Sequence, residues 1–220
     1  MNMSFFNTLI QDTIPAQQTL LSRSVIQETL SGDISLARYQ AFLIEAYHHV
    51  KHTVPLLMAC GSRLPEEYNW LQQAITEYIE EEIGHEKWIL NDLQQTGIDP
   101  LMVQSSRPSL ATELMIAYAY NQIDRINPLA FFGMVHVLEG TSTALATLIA
   151  DLVQARLGLP DSAFSYLSSH GSLDLEHVKF FEALMNKIDK PSSQQTIIHA
   201  ANVFYHLYGE VLSSVEGAEW

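Results

Sequence analysis

A chain of 220 residues that is 47% hydrophobic can bury one sizeable core, which predicts a single domain over 1–220. Its 25 acidic against 11 basic residues give a formal net charge of −14, which repels a phosphate backbone and argues against nucleic acid or an anionic membrane as partner. The lone cysteine, Cys60, excludes an internal disulfide and a cysteine-rich metal cluster, and the absence of a basic, then apolar, leader makes cytoplasm the expected compartment.

Apolar residues recur at spacings of three and four and no stretch alternates as a strand does, which predicts an all-α bundle of about seven to eight helices. Glycine, proline and small polar residues mark the ends. The first helix is expected over roughly 4–30, bent at Pro15 and closed by Ser31, Gly32 and Asp33. The second covers about 35–60 and ends at Gly61, and the third runs from Pro65 to about 96 and stops at Gly97. Residues 98–108 form the longest expected loop, lying across the bundle. A fourth helix follows over about 108–125, a fifth over 128–157, a sixth from Pro160 to about 188 with a kink at Gly171, and a last over roughly 192–214. The run 128–153 is the most membrane-like, but Glu139 stands in its middle with His136 one turn away. A carboxylate at the centre of a lipid-facing span is costly, so this run reads as a fully buried helix of a water-soluble fold.

The sixth helix carries the segment HGSLDLEH, whose His170, Asp174 and His177 fall on one stripe at helical spacing. Phe181, Leu184 and Ile188 continue that stripe, so it faces inward. A polar helix end satisfied by local hydrogen bonds is the simpler alternative. Three titratable groups on one buried stripe are hard to satisfy that way, whereas a divalent cation satisfies all three. In the third helix Glu82 shares the stripe of Ile75, Tyr78 and Ile89, with His85 one turn on. Glu80, Glu81 and Glu86 read as its wet flank, although Glu81 is also one turn from His85. Glu139 is the most anomalous residue, a carboxylate deep in an apolar helix, with Ser142, Thr143 or His136 as its non-metal partners. Together Glu82, His85, Glu139, His170, Asp174 and His177 make a set of six O and N ligands from three helices. Such a set suits two iron or manganese ions better than zinc. Glu45, His49 and His52 share a face of the second helix while His48 points elsewhere; these four either complete a site, orient its ligands or flank a pocket. Cys60 reads as a small core residue.

These residues resemble the heme-oxygenase-like di-iron oxidases and oxygenases, within the wider fold shared with thiaminase II (TenA) and pyrroloquinoline-quinone synthase. The resemblance spans nearly the whole chain in helix order and rests on Glu82-Ile-Gly-His-Glu86, Glu139, and H-x-x-x-D-x-x-H at 170–177. It implies a labile dinuclear iron centre, with Glu82, His85 and His177 on one iron and Glu139, His170 and Asp174 on the other. It implies dioxygen as co-substrate, a small amine or acid as substrate, and a fold compatible with a homodimer. A further glutamate, which the family often takes from the helix here reading EAYHHVKH, is met by Glu45 out of register and by His48 or His49. The cysteine that thiaminase II needs on the fifth helix is absent, and the first histidine, His48, comes too late to serve as a heme ligand near the N-terminus. The expected function is therefore a non-heme iron-dependent oxidase or oxygenase. The alternatives are a metal-independent TenA-like or PQQ-synthase-like cofactor-biosynthesis enzyme and a non-catalytic helical binding protein.

Overall fold

The computed structural model describes residues 3–216, except for the side chains of Ala144 and of residues 170–177. Among the described residues there is no strand, and eleven α-helices follow one another. They are α1 Phe5–Leu21, α2 Ser24–Leu30, α3 Leu36–Val50, α4 Thr53–Gly61, α5 Leu71–Glu82 and α6 His85–Gln95, then α7 Pro100–Ser105, α8 Leu110–Asn121, α9 Phe131–Leu157, α10 Ser165–Met185 and α11 Pro191–Ser213. The all-α class is as expected from the spacing.

Three of the expected helices are each divided in two, which accounts for most of the excess over seven or eight. The first breaks at Ser22–Arg23 and not at Pro15, which sits inside α1. Arg23 adopts an extended conformation there and its guanidinium reaches Glu210 of α11 at 2.6 Å. The second breaks at Lys51–His52, because Pro55 has no N–H and its ring would meet the carbonyl of Lys51 in a continuous helix. The third breaks at Gly84, whose φ of +97° no helix interior accommodates. Residues 98–108 are not a plain loop: Asp99 accepts from the Leu101 N–H at 2.9 Å and Pro100 takes the first helical position, so α7 forms within them. The sixth expected helix begins at Ser165, after a 3₁₀ turn at Asp161–Ala163, and its helical assignment is unbroken to Met185.

Two apolar clusters share α9. One gathers Leu9, Leu56, Phe132 and Phe204 from α1, α4, α9 and α11. The other gathers Leu43, Ile89, Val153 and Phe164 around α3, α6 and the second half of α9. At Gly133 the backbones of α9 and α11 meet so closely that a Cβ would lie 2.6 Å from the Ala201 nitrogen. Phe181, Leu184 and Ile188 are all buried, so the stripe of α10 faces inward at this end. Cys60 is fully buried, its thiol donates to the Pro128 carbonyl at 3.3 Å, and burial pushes its pKa up to about 12. Among the described residues no single helix is long and apolar enough to cross a membrane; Pro128–Thr143 with Leu145–Leu157 passes on length and composition but is bent by 45°.

Candidate metal centre

Where the two clusters meet lies a cavity of about 100 Å³ whose wall includes His49, Leu56, Tyr78, Glu82, Glu139 and Tyr166. Its two carboxylates come from different helices, and each sits where local propensity would not put it. Glu82 is the last residue of α5, so its charge lies at the negative end of the helix dipole, a placement disfavoured by about 0.3–1 kcal/mol. The Gly84 turn then brings His85, first residue of α6, back against it: Nδ1 lies 3.1 Å from Glu82 Oε2. The His85 ring is buried and stacks on Trp88 at 4.1 Å between centroids. The carboxylate and imidazole thus lie at ion-pair distance without the alignment of a hydrogen bond, close enough to serve one cation together.

Glu139 stands on α9 among apolar residues. The hydroxyls of Ser142 and Thr143 donate to its main-chain carbonyl, at 3.0 and 2.6 Å, so they do not account for the carboxylate. His136 turns to other partners: its Nε2 lies 3.2 Å from Thr13 Oγ1, and its ring stacks on Phe181. Burial pushes the His136 pKa down to about 4 from an ordinary 6.5. The unfolded chain therefore takes up this proton below pH 6.5 while the fold resists it. Stability is expected to fall by up to about 3 kcal/mol as pH drops from 6.5 through 4. Urea unfolding across that range checks this, with His136→Gln expected to flatten the profile.

Tyr78 adds an independent sign that the cavity is built for a ligand. Its side chain is buried, and among the described residues its hydroxyl has no hydrogen-bond partner. Burial, then the fields of Glu139, Glu81 and Glu82, hold its pKa above the ordinary tyrosine range, so it stays protonated and able to donate. Leaving such a group unsatisfied costs about 1–3 kcal/mol, a cost a bound partner would remove.

His170, Asp174 and His177 lie on α10, which packs against α9 and α6, but their side chains lie outside the described residues. What holds the start of α10 is a residue the spacing argument passed over. Asp92 of α6 is fully buried and accepts from the backbone N–H of Ser165 at 3.0 Å, from that of Tyr166 at 2.8 Å, and from the Ser165 hydroxyl. Its signal was present, since Asp92 follows Ile89 by three residues on the same inward stripe.

The second-helix group separates by role. Glu45 accepts from the Ser109 N–H and hydroxyl and from the Thr112 hydroxyl, so it caps α8. His48 meets Ser106 Oγ at 2.9 Å and Lys51 Nζ at 3.1 Å, and His52 meets Tyr120 Oη at 3.2 Å. Of these four only His49 reaches the cavity wall. Its Nδ1 donates to the Glu45 carbonyl at 2.9 Å, which sets the tautomer and leaves the lone pair on Nε2. Among the described residues no three His, Cys, Asp or Glu side chains close a metal site by themselves. The described part of the six-residue set is Glu82, His85 and Glu139.

Residues 40–209 match the model of a family described as iron-containing redox enzymes. The chain belongs to that family. The matched span includes every candidate ligand, from Glu45 to His177. A solved domain of unknown function with a heme oxygenase-like fold from Shewanella denitrificans is 24% identical with a TM-score of 0.85, over 96% of this chain and 91% of that one. A TenA homologue from Pseudomonas syringae is 12% identical with a TM-score of 0.81, over 96% and 92%. Heme oxygenase-1 from the cyanobacterium Synechocystis, solved in complex with heme, is 12% identical with a TM-score of 0.76, over 98% and 93%. No curated protein matches the chain significantly. For an iron-containing redox enzyme the donor chemistry fits: carboxylate oxygens, an oriented imidazole and an unsatisfied hydroxyl surround one cavity, and no thiolate competes.

Proposed function

We propose that the chain is a non-heme iron-dependent oxidase or oxygenase that uses dioxygen on a small organic amine or acid. The observation that carries it is the convergence of Glu82 and Glu139, from α5 and α9, on one cavity together with the unsatisfied Tyr78 hydroxyl. Glu82, His85 and His177 would hold one iron, and Glu139, His170 and Asp174 the other, with manganese the alternative metal. Bound iron would supply the one-electron chemistry that dioxygen requires. The chain's own residues do the rest. Trp88 stacks on His85 with Glu82 beside it, the Tyr78 hydroxyl offers a proton or hydrogen bond to whatever enters, and His49 lines the wall. Leu56 and its apolar neighbours give the rest of the wall an apolar surface.

Anaerobic loading with ferrous iron is expected to give about two irons per chain, and oxygen is then expected to change the absorbance. Iron well below one per chain, with no change on adding oxygen, would sink the proposal. A metal-independent enzyme is the second reading, supported by the likeness to a TenA homologue and by the His85–Glu82 pair. It requires turnover to survive chelation. It cannot use a thiol nucleophile from this chain, because Cys60 is buried away from the cavity and its thiol resists ionisation.

A further inference from the structure

Beyond the carboxylate cavity lies a second chamber, also of about 100 Å³, and the two share Ser142, Tyr166 and Tyr208 as a common wall. The chemistry changes across that wall. Among the described residues the second chamber is lined by Val25, Ile26, Phe42, Leu145, Ile149 and Leu212 and by no carboxylate. Arg38 is the cation on its lining, and its guanidinium is already bonded to Glu28 at 2.8 Å and to the Asp33 carbonyl at 3.1 Å. The Arg38 charge is therefore already met within the protein and is not free for a ligand. Thr141 also lines this chamber; it is buried, and among the described residues its hydroxyl has no hydrogen-bond partner. An apolar space closed on all sides would gain from a methyl group at that position, whereas a ligand with one polar atom near the wall would use the hydroxyl.

We infer that this chamber seats the hydrocarbon body of the substrate. The chain would take a single-headed molecule bearing an aliphatic or aryl group, with its polar head turned past Ser142, Tyr166 and Tyr208 toward Glu82 and Glu139. The inference rests on the proposed function only for the fate of the head group; the seat for the body stands on the chamber itself.

Neutral probes separate the two. Straight-chain primary alcohols from butanol to decanol, titrated calorimetrically into the metal-free protein, are expected to bind about fourfold more tightly per added methylene until the chamber is full. Leu145→Trp, which fills the chamber, is expected to abolish that dependence in a protein whose near-ultraviolet circular dichroism is retained. Should that variant fail to fold, Ile149→Phe reads the same loss. Thr141→Val is expected to weaken alcohol binding about fivefold while the unfolding temperature holds or rises. A structural role for that hydroxyl would lower the unfolding temperature instead. Affinity independent of chain length, or undiminished in a folded Leu145→Trp, overturns the inference. Iron loading is measured separately, so failure of the chamber and failure of the metal centre give different results.

Discussion

Glu139→Leu is expected to lose iron binding while its unfolding temperature stays level or rises. The carboxylate stands among apolar residues of α9, and the hydroxyls one turn on serve its backbone carbonyl and not its side chain. A carboxylate kept at such a position costs desolvation free energy even where it has a partner, and groups kept for chemistry commonly lower stability. Leucine removes that cost and preserves most of the packing volume. A gain of about 1 kcal/mol would raise the unfolding temperature by about 2–4 °C in a chain of this length. Metal analysis after anaerobic loading and a thermal scan read both halves. Undiminished iron would remove Glu139 from the centre, and a fall of several degrees would make it a structural residue.

How far such a site can be read in advance depends on which property is local. The all-α class and the inward stripe through Phe181 and Leu184 follow from spacing alone, because burial selects apolar residues at the helical period. The breaks were less legible. Pro55 at 51–55 and Gly84 at 83–85 are plain backbone signals, yet each sits inside an apolar rhythm that continues across the turn, so periodicity hid them. The break at Arg23 has no local cause of that kind, since it is held by a partner on α11. The cavity shows the same division. Glu82 and Glu139 stand out as carboxylates on apolar stripes, a conflict visible in one dimension. Tyr166 and Tyr208 join the wall from α10 and α11, and no spacing rule connects them. Glu45 and His49 are four residues apart on one helix and look alike in sequence. Only the position of Ser109 decides that Glu45 turns to cap α8 while His49 turns to the cavity.

Asp92→Ala is expected to destabilise the protein by about 3 kcal/mol and to weaken iron loading although Asp92 is not a proposed ligand. Helix α10 begins at Ser165 without a side-chain cap of its own. Its first backbone N–H groups find their acceptor on another helix, in the carboxylate of Asp92. Burial raises the Asp92 pKa, and the hydrogen bonds from Ser165 and Tyr166 oppose that rise, so they compensate the desolvation of a fully buried group. Alanine leaves those N–H groups buried without an acceptor, at the end of a helix that fixes the positions of Tyr166, His170, Asp174 and His177 together. Asp92→Asn keeps one acceptor oxygen but sets its amide N–H₂ against a backbone N–H, so it is expected to recover only part of the loss. Urea unfolding gives the stability change, and iron titration at a temperature where the variant is folded gives the change at the centre. Equal stability of variant and parent would mean that packing of Phe164 and Leu167 alone holds the start of α10. Lost stability with full iron affinity would mean that the ligands on α10 are positioned from its C-terminal half, where Phe181 and Leu184 anchor it.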